Sequence, residues 1–244
     1  MGEVIAVLSG KGGTGKTTVC AGVASALALS GRKVLCIDCD MGLRNLDISL
    51  GMSQEDVLSF TDVCNGGYDL EQATRHNTFS DLYFLTAPVR ERADNVDKTA
   101  FRTLLEQARE KFDFVFLDAP AGLHAGVTLT YADADRVILV TGADYASVRA
   151  AAQIGQVLER AGKTDIRLVV NWYEPKTLSA MGWTVDDIMD QAGLPLLGVV
   201  PEDRNVILAT ANRTPLLRFT RWGAAKACKR IAQRLEGHTV DIKL

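Results

Sequence analysis

The sequence predicts an α/β fold: a doubly wound, mostly parallel sheet of about seven to eight strands with helices on both faces. Three observations lead there. Short apolar runs alternate with helical stretches along the chain. Several runs are apolar at consecutive positions, as parallel strands covered on both sides require. No repeat, low-complexity tract or Pro/Gly/Ser linker interrupts the 244 residues, so residues 3–236 read as one domain and 237–244 as a short C-terminal tail.

The strand expected at 4–8 is an unbroken Val-Ile-Ala-Val-Leu, followed by a glycine-rich turn and an Ala-rich helix at 17–29. A second strand at 33–37 ends on Asp38. Further strands are expected at 82–85, 114–117, 136–140, 167–170 and 196–200, and further helices at 98–111, 146–160, 185–191 and 219–235.

Composition removes several classes of protein. Hydrophobic residues at 47% and charged residues at 23% exclude intrinsic disorder. With 27 Lys+Arg against 30 Asp+Glu the net charge is −3, so any hold on nucleic acid or anionic lipid must be local. The longest run without Asp, Glu, Lys or Arg is 17–31, too short to span a bilayer and broken by Thr, Ser and Gly. The N-terminus shows no basic region or cleavage site, and Ala6 stands where a myristoylation motif wants Ser or Thr. The expectation is a soluble, cytoplasmic protein. Five scattered cysteines argue against a disulfide framework, and Cys36 and Cys39, a C-x-x-C with no second pair, read as small buried residues rather than a metal or redox pair.

The turn after the first strand, Ser9-Gly-Lys-Gly-Gly-Thr-Gly-Lys-Thr-Thr18, satisfies two motifs at once. Gly10, Gly12 and Gly15 fit the dinucleotide pattern G-x-G-x-x-G, with Asp38 ending the next strand. Gly10, Gly15, Lys16 and Thr17 fit the phosphate loop G-x-x-x-x-G-K-[ST]. Charge separates them. Backbone N–H groups can satisfy a pyrophosphate, but a nucleoside triphosphate carries about four negative charges and needs cations as well. Lys11 and Lys16 bracket the glycines, and would repel one another without a polyanion between them. A P-loop triphosphate site is the preferred reading, with Gly10, Gly12, Gly13, Thr14, Gly15, Lys16, Thr17 and Thr18 holding phosphate and Thr17 offering a hydroxyl to Mg²⁺. Asp40, just past the second strand, falls in the ligand crevice of such a sheet, where it can orient a water or serve as a turn residue. Phe114-Val-Phe-Leu-Asp118 has the apolar-run-then-Asp form that would place Asp118 on Mg²⁺ through water.

With its early lysine, the loop resembles that of the deviant-Walker-A ATPases of the MinD/ParA family. The segments Asp38-Cys-Asp-Met-Gly-Leu-Arg-Asn-Leu-Asp47 and Asp118-Ala-Pro-Ala-Gly122 are similar to switch I and switch II of its MinD-like, septum-site-determining members. The likeness runs from residue 3 to about 236. It implies an ATP-sandwich homodimer in which Lys11 completes the partner's site, Asp40 places the attacking water, Asn45 lies in switch I, and Asn171, Pro201 and Asp203 stand where the family holds adenine. It further implies slow, partner-stimulated hydrolysis of ATP to ADP and phosphate, serving division-site selection. A partition ATPase of ParA type and an ATPase that positions pili or flagella are the alternatives.

Two departures from that pattern stand out. A separate basic amphipathic helix is expected to be missing after Gly237, where Val240, Ile242 and Leu244 alternate with polar residues as in an extended tail. Between Arg213 and Arg234 lie seven cations and no carboxylate. They are expected to form the solvated face of a last helix whose stripe of Phe219, Trp222, Cys228, Ile231 and Leu235 packs on the sheet. Contact with the inner face of the cell membrane, and less readily with nucleic acid, stay open there. Secondly, Ala150-Ala-Ala152 follows Ala146-Ser-Val-Arg149 where relatives that bind MinC and MinE carry acidic residues, so the partner's identity is left open.

Overall fold

The computed structural model describes residues 1–53, 56–89, 95–122 and 125–242. The elements run β1 (Glu3–Leu8), α1 (Lys16–Leu29), β2 (Val34–Asp38), α2 (Leu46–Leu50), α3 (Phe60–Cys64), β3 (Thr74–Arg75), β4 (Leu82–Leu85), α4 (Lys98–Lys111), β5 (Phe114–Asp118), α5 (Ala125–Ala132), β6 (Arg136–Gly142), α6 (Tyr145–Arg160), β7 (Ile166–Tyr173), α7 (Pro175–Ala180), α8 (Val185–Ala192), β8 (Leu196–Pro201), α9 (Arg204–Ala211), α10 (Leu216–Phe219) and α11 (Gly223–Leu235). Among the described residues the strands form one eight-stranded sheet in the order β3-β4-β2-β5-β1-β6-β7-β8. Only β3 on β4 is antiparallel.

Alternation explains why the strands read as continuous apolar runs. Along β1, Val4, Ala6 and Leu8 enter the core beneath α4, α5, α6 and α8, whereas Ile5 and Val7 enter the one beneath α1, α2 and α11. Both faces are dry, so β1 is apolar at every position from Val4 to Leu8. Where β1, β2 and β5 end together, the order reverses. Val7 and Asp38 each register with Asp118, placing two carboxylates and the turn after β1 at one crevice. The isolated serine before that turn, Ser9, is buried and receives Gly122 N at 3.0 Å, which draws the two loops together.

The last helix differs from expectation. The stretch 219–235 is not one helix: α10 ends at Phe219, Thr220 and Trp222 are extended, and α11 starts at Gly223 with φ +55°. Asp203 Oδ2 accepts Ala224 N at 2.9 Å, fixing the restart. Cys228, Ile231 and Leu235 pack inward with Ala224 and Ala225, but Trp222 stands 70% exposed and outside the stripe, its ring beneath Lys226 Nζ at 5.2 Å. The residues after α11 are non-helical as far as 242, and Arg234 ties Val240 O and Leu197 O at 2.9–3.0 Å. Leu244 lies outside the described residues. No described helix is long and apolar enough to cross a membrane. Cys36 and Cys39 are buried.

Candidate nucleotide site

The turn after β1 runs over the N-terminus of α1. Gly13 and Gly15 take φ of +83° and +80°, a region side chains resist, and Gly15 forms the N-terminal boundary of the helix. A Cβ on Gly15 would lie 2.1 Å from Asn171 Nδ2, and one on Gly10 would lie 2.6 Å from the Ala150 carbonyl in α6. Gly13 is therefore required by conformation, Gly10 by contact and Gly15 by both. No side chain caps α1, and no acidic residue stands in its first turn. Its unpaired N–H groups and positive end are left for an external anion.

Beneath the loop lies a buried cluster. Lys16 Nζ donates to Asp118 Oδ1 at 2.6 Å and Thr17 Oγ1 to Asp118 Oδ2 at 2.7 Å, with Lys16 7% and Asp118 1% exposed. Burial pushes the Asp118 carboxyl above its ordinary range, partly offset by Lys16 and Thr17. Burial pulls Lys16 the other way, yet the Asp118 charge and hydrogen bond hold the ammonium above its ordinary range. Asp38 is fully buried as well; desolvation and the neighbouring Asp118 charge push it up to about 7. Its two oxygens accept Asp40 N at 2.9 Å and Leu46 N at 3.1 Å, so Asp38 shapes the loop between.

Asp40 follows at the mouth, close enough to Lys16 and Asp118 to act on their charges. One of its oxygens, Oδ1, accepts Gly42 N at 3.1 Å and Leu43 N at 3.2 Å, so Asp40 also serves as the turn residue. Asn45 is exposed at the start of α2. Lys11 reaches outward, about half exposed, with its Nζ 3.7 Å from Asp144 Oδ1. Gly12 and Gly13 are exposed beside it.

Asn171, Pro201 and Asp203 come together, lining a small cavity with Thr18, Trp172 and Val206 at the edge of the loop. Asn171 Nδ2 donates to Thr14 O at 2.8 Å. Asp203 Oδ1 accepts Asn205 N at 2.9 Å as the cap of α9, while Oδ2 holds α11. Asp38, read from the sequence as the acid of the dinucleotide pattern and the start of the switch-like segment, braces the loop at 40–46. Two participants were not read from the sequence: Asp144 caps α6 beside Lys11, and Trp172 Nε1 donates to Gly13 O at 3.2 Å. The D-x-x-S spacing of Asp144 and Ser147 carried a signal for the cap; nothing local marked Trp172.

The donor set suits a phosphate chain with a divalent cation. The glycine cradle admits a close anion, Thr17 and Asp118 supply hard oxygens, and the buried Thr14 Oγ1 has no hydrogen-bond partner among the described residues. Fold and loop together define a P-loop nucleotide-binding protein.

Comparison with known proteins narrows this. Residues 5–216 match the family model for the CobQ/CobB/MinD/ParA nucleotide binding domain. The septum site-determining protein MinD of Synechocystis is 35% identical over 243 residues, covering 98% of this chain and 91% of that protein. The MinC:MinD cell division protein complex of Aquifex aeolicus contains a chain that superimposes with a TM-score of 0.91 at 30% identity, with 99% of both chains covered. MinD of Pyrococcus horikoshii, solved with Mg-ADP, gives 0.84 at 30% identity over 97% of this chain and 96% of that one. The chain belongs to the MinD/ParA family of ATPases, on its MinD-like branch.

Proposed function

We propose that the protein binds ATP with Mg²⁺, hydrolyses it slowly, and forms an ATP-sandwich homodimer that positions a protein partner in division-site selection. One observation carries the reading: Lys16, Thr17 and Asp118 converge on one buried point under an uncapped helix N-terminus. Gly10, Gly12, Gly13, Thr14, Gly15, Lys16, Thr17 and Thr18 would hold the phosphates, and Thr17 and Asp118 the Mg²⁺, which neutralises phosphate charge when bound. With nucleotide bound, Lys16 would turn from Asp118 to phosphate oxygen, leaving the Asp118 carboxylate free to help hold the Mg²⁺. Asp40 orients water from the mouth of the site. Lys11, about half exposed and 3.7 Å from Asp144 Oδ1, would complete the site of a second copy. Asn171, Pro201 and Asp203 border the place for adenine.

The Mg-ADP complex of the Pyrococcus relative supports the ligand, and the MinC:MinD complex supports a protein partner. Ala150–Ala152 leaves that partner's identity open. A cytoplasmic location with peripheral contact to the inner face of the cell membrane is supported by exposed Trp222 among the cations of 213–234. The same cations favour, as a second reading, a partition factor that holds DNA.

Light scattering and phosphate release test the scheme. Lys11→Ala should stay monomeric with ATP, and Asp40→Ala should accumulate as a dimer that releases little phosphate. A Lys11→Ala protein that dimerises normally contradicts the shared site. ATP-dependent retention of DNA, weakening steeply with salt, would favour the partition reading.

A further inference from the structure

We infer that Trp172 is a positioning residue for the phosphate loop, one that aims a backbone N–H at the bound phosphate chain. The inference rests on the phosphate-binding reading above and adds a residue to it.

Two neighbouring side chains at the end of β7 grip two neighbouring carbonyls of the loop. Trp172 Nε1 donates to Gly13 O at 3.2 Å, and Asn171 Nδ2 to Thr14 O at 2.8 Å. In a planar trans peptide the C=O and the next N–H point in opposite directions. Holding the Gly13 carbonyl outward against the indole therefore turns the Thr14 N–H inward, and holding the Thr14 carbonyl turns the Gly15 N–H the same way. Glycines at 13 and 15 leave the peptide planes on either side of Thr14 otherwise free to flip. The two side chains remove that freedom before any ligand arrives, which is where preorganised donors gain their advantage over donors that must turn.

The backbone of Trp172 points the same way. Its φ is +57°, in the left-handed region where a large side chain is disfavoured. The residue sits where the β7–β8 register shifts between Val170 and Tyr173. That irregularity swings the side chain off the sheet and over the loop. The residue is 38% exposed, so core packing is not what holds it there. Strain at a residue that touches the ligand loop is the pattern expected of a positioning device.

Trp172→Phe retains an aromatic ring and the same backbone cost and removes the donor. Titrations with inorganic tripolyphosphate and ATP read its effect. Tripolyphosphate and ATP should bind about three- to tenfold more weakly, the range for one lost neutral hydrogen bond. The thermal midpoint should hold, and Trp172→His, which keeps a ring N–H, should recover part of the tripolyphosphate loss; tripolyphosphate carries no base, so the cavity that Trp172 lines beside Asn171 does not enter that reading. In the unaltered chain, the Thr14 and Gly15 amide resonances should shift on adding tripolyphosphate. Unchanged tripolyphosphate affinity in Trp172→Phe, a loss matched by a fall in the thermal midpoint, or unmoved amide resonances would each overturn the assignment. An unaltered chain that binds neither tripolyphosphate nor ATP would overturn the phosphate reading itself, and this inference with it.

Discussion

Removing Asp118 tests whether the buried cluster is arranged as described. Its carboxylate is the acceptor for both Lys16 Nζ at 2.6 Å and Thr17 Oγ1 at 2.7 Å, and the lysine is only 7% exposed. Asp118→Ala leaves the ammonium and the hydroxyl without their hydrogen-bonded acceptor, with only the more distant Asp38 and Asp40 to balance the charge. Breaking a buried pair by deleting one partner costs roughly 3–5 kcal/mol. Against a total stability of about 5–15 kcal/mol this is a large fraction, and in a chain of this size it lowers the thermal midpoint by roughly 6–20 °C. The assay is urea unfolding at pH 7 without nucleotide, run on Asp118→Ala, Lys16→Met and the double variant. Lys16→Met should cost less, because a carboxyl whose affinity for protons burial has already raised can become neutral. The double variant should be clearly more stable than the sum of the single losses predicts. An Asp118→Ala chain within about 1 kcal/mol of the unaltered protein, or strict additivity, would show that Lys16 escapes to solvent and that the cluster is not the anchor of the loop.

Two further substitutions probe the surroundings of that cluster. Asp38 is raised in the folded chain to about 7 from an ordinary 3.8, so its neutral form favours folding. That contribution is full below about pH 4 and is lost as pH rises through 7, by up to about 4 kcal/mol. Relative to Asp38→Asn, the unaltered protein should therefore lose stability between pH 5 and pH 8 in urea titrations; parallel curves would place the carboxyl in a wetter site. In the loop itself, a Cβ on Gly10 meets the Ala150 backbone at 2.6 Å, whereas one on Gly12 meets nothing within 4 Å. Without nucleotide, Gly10→Ala should cost roughly 1–3 kcal/mol and Gly12→Ala no more than about 0.5; equal effects would contradict the seating of the loop on α6.

Much of this was legible because the sheet is buried on both faces. Each of the seven parallel strands is an apolar run bounded by turn residues, and the loop motif lies between the first of them and an Ala-rich helix. What escaped notice was short or set by distant contacts. β3 has two residues and exists because β4 offers an edge. α7 rests on Pro175 at its first turn and a Glu174 cap, too brief for periodicity to register. The break between α10 and α11 is made by Asp203, about twenty residues away, accepting Ala224 N, so the helix-compatible spacing of Phe219, Trp222 and Cys228 suggested one helix where two stand. In the site, the spaced loop motif identified Lys16 and Thr17, and the apolar run ending in Asp identified Asp118, because these patterns are specific to phosphate and cation. Trp172 acts through the direction of a single N–H, set by a register shift between two strands, and spacing along the chain carries no trace of that.

Calorimetric titration of the purified protein with ATP and Mg²⁺, beside Lys16→Ala and with NAD as the competing ligand, addresses the central claim most directly. One ATP per chain should bind the unaltered protein, the lysine variant should lose at least tenfold in affinity, and NAD should give no heat. Saturable NAD binding without ATP binding, or a Lys16→Ala chain that takes up ATP as well as its parent, would contradict it.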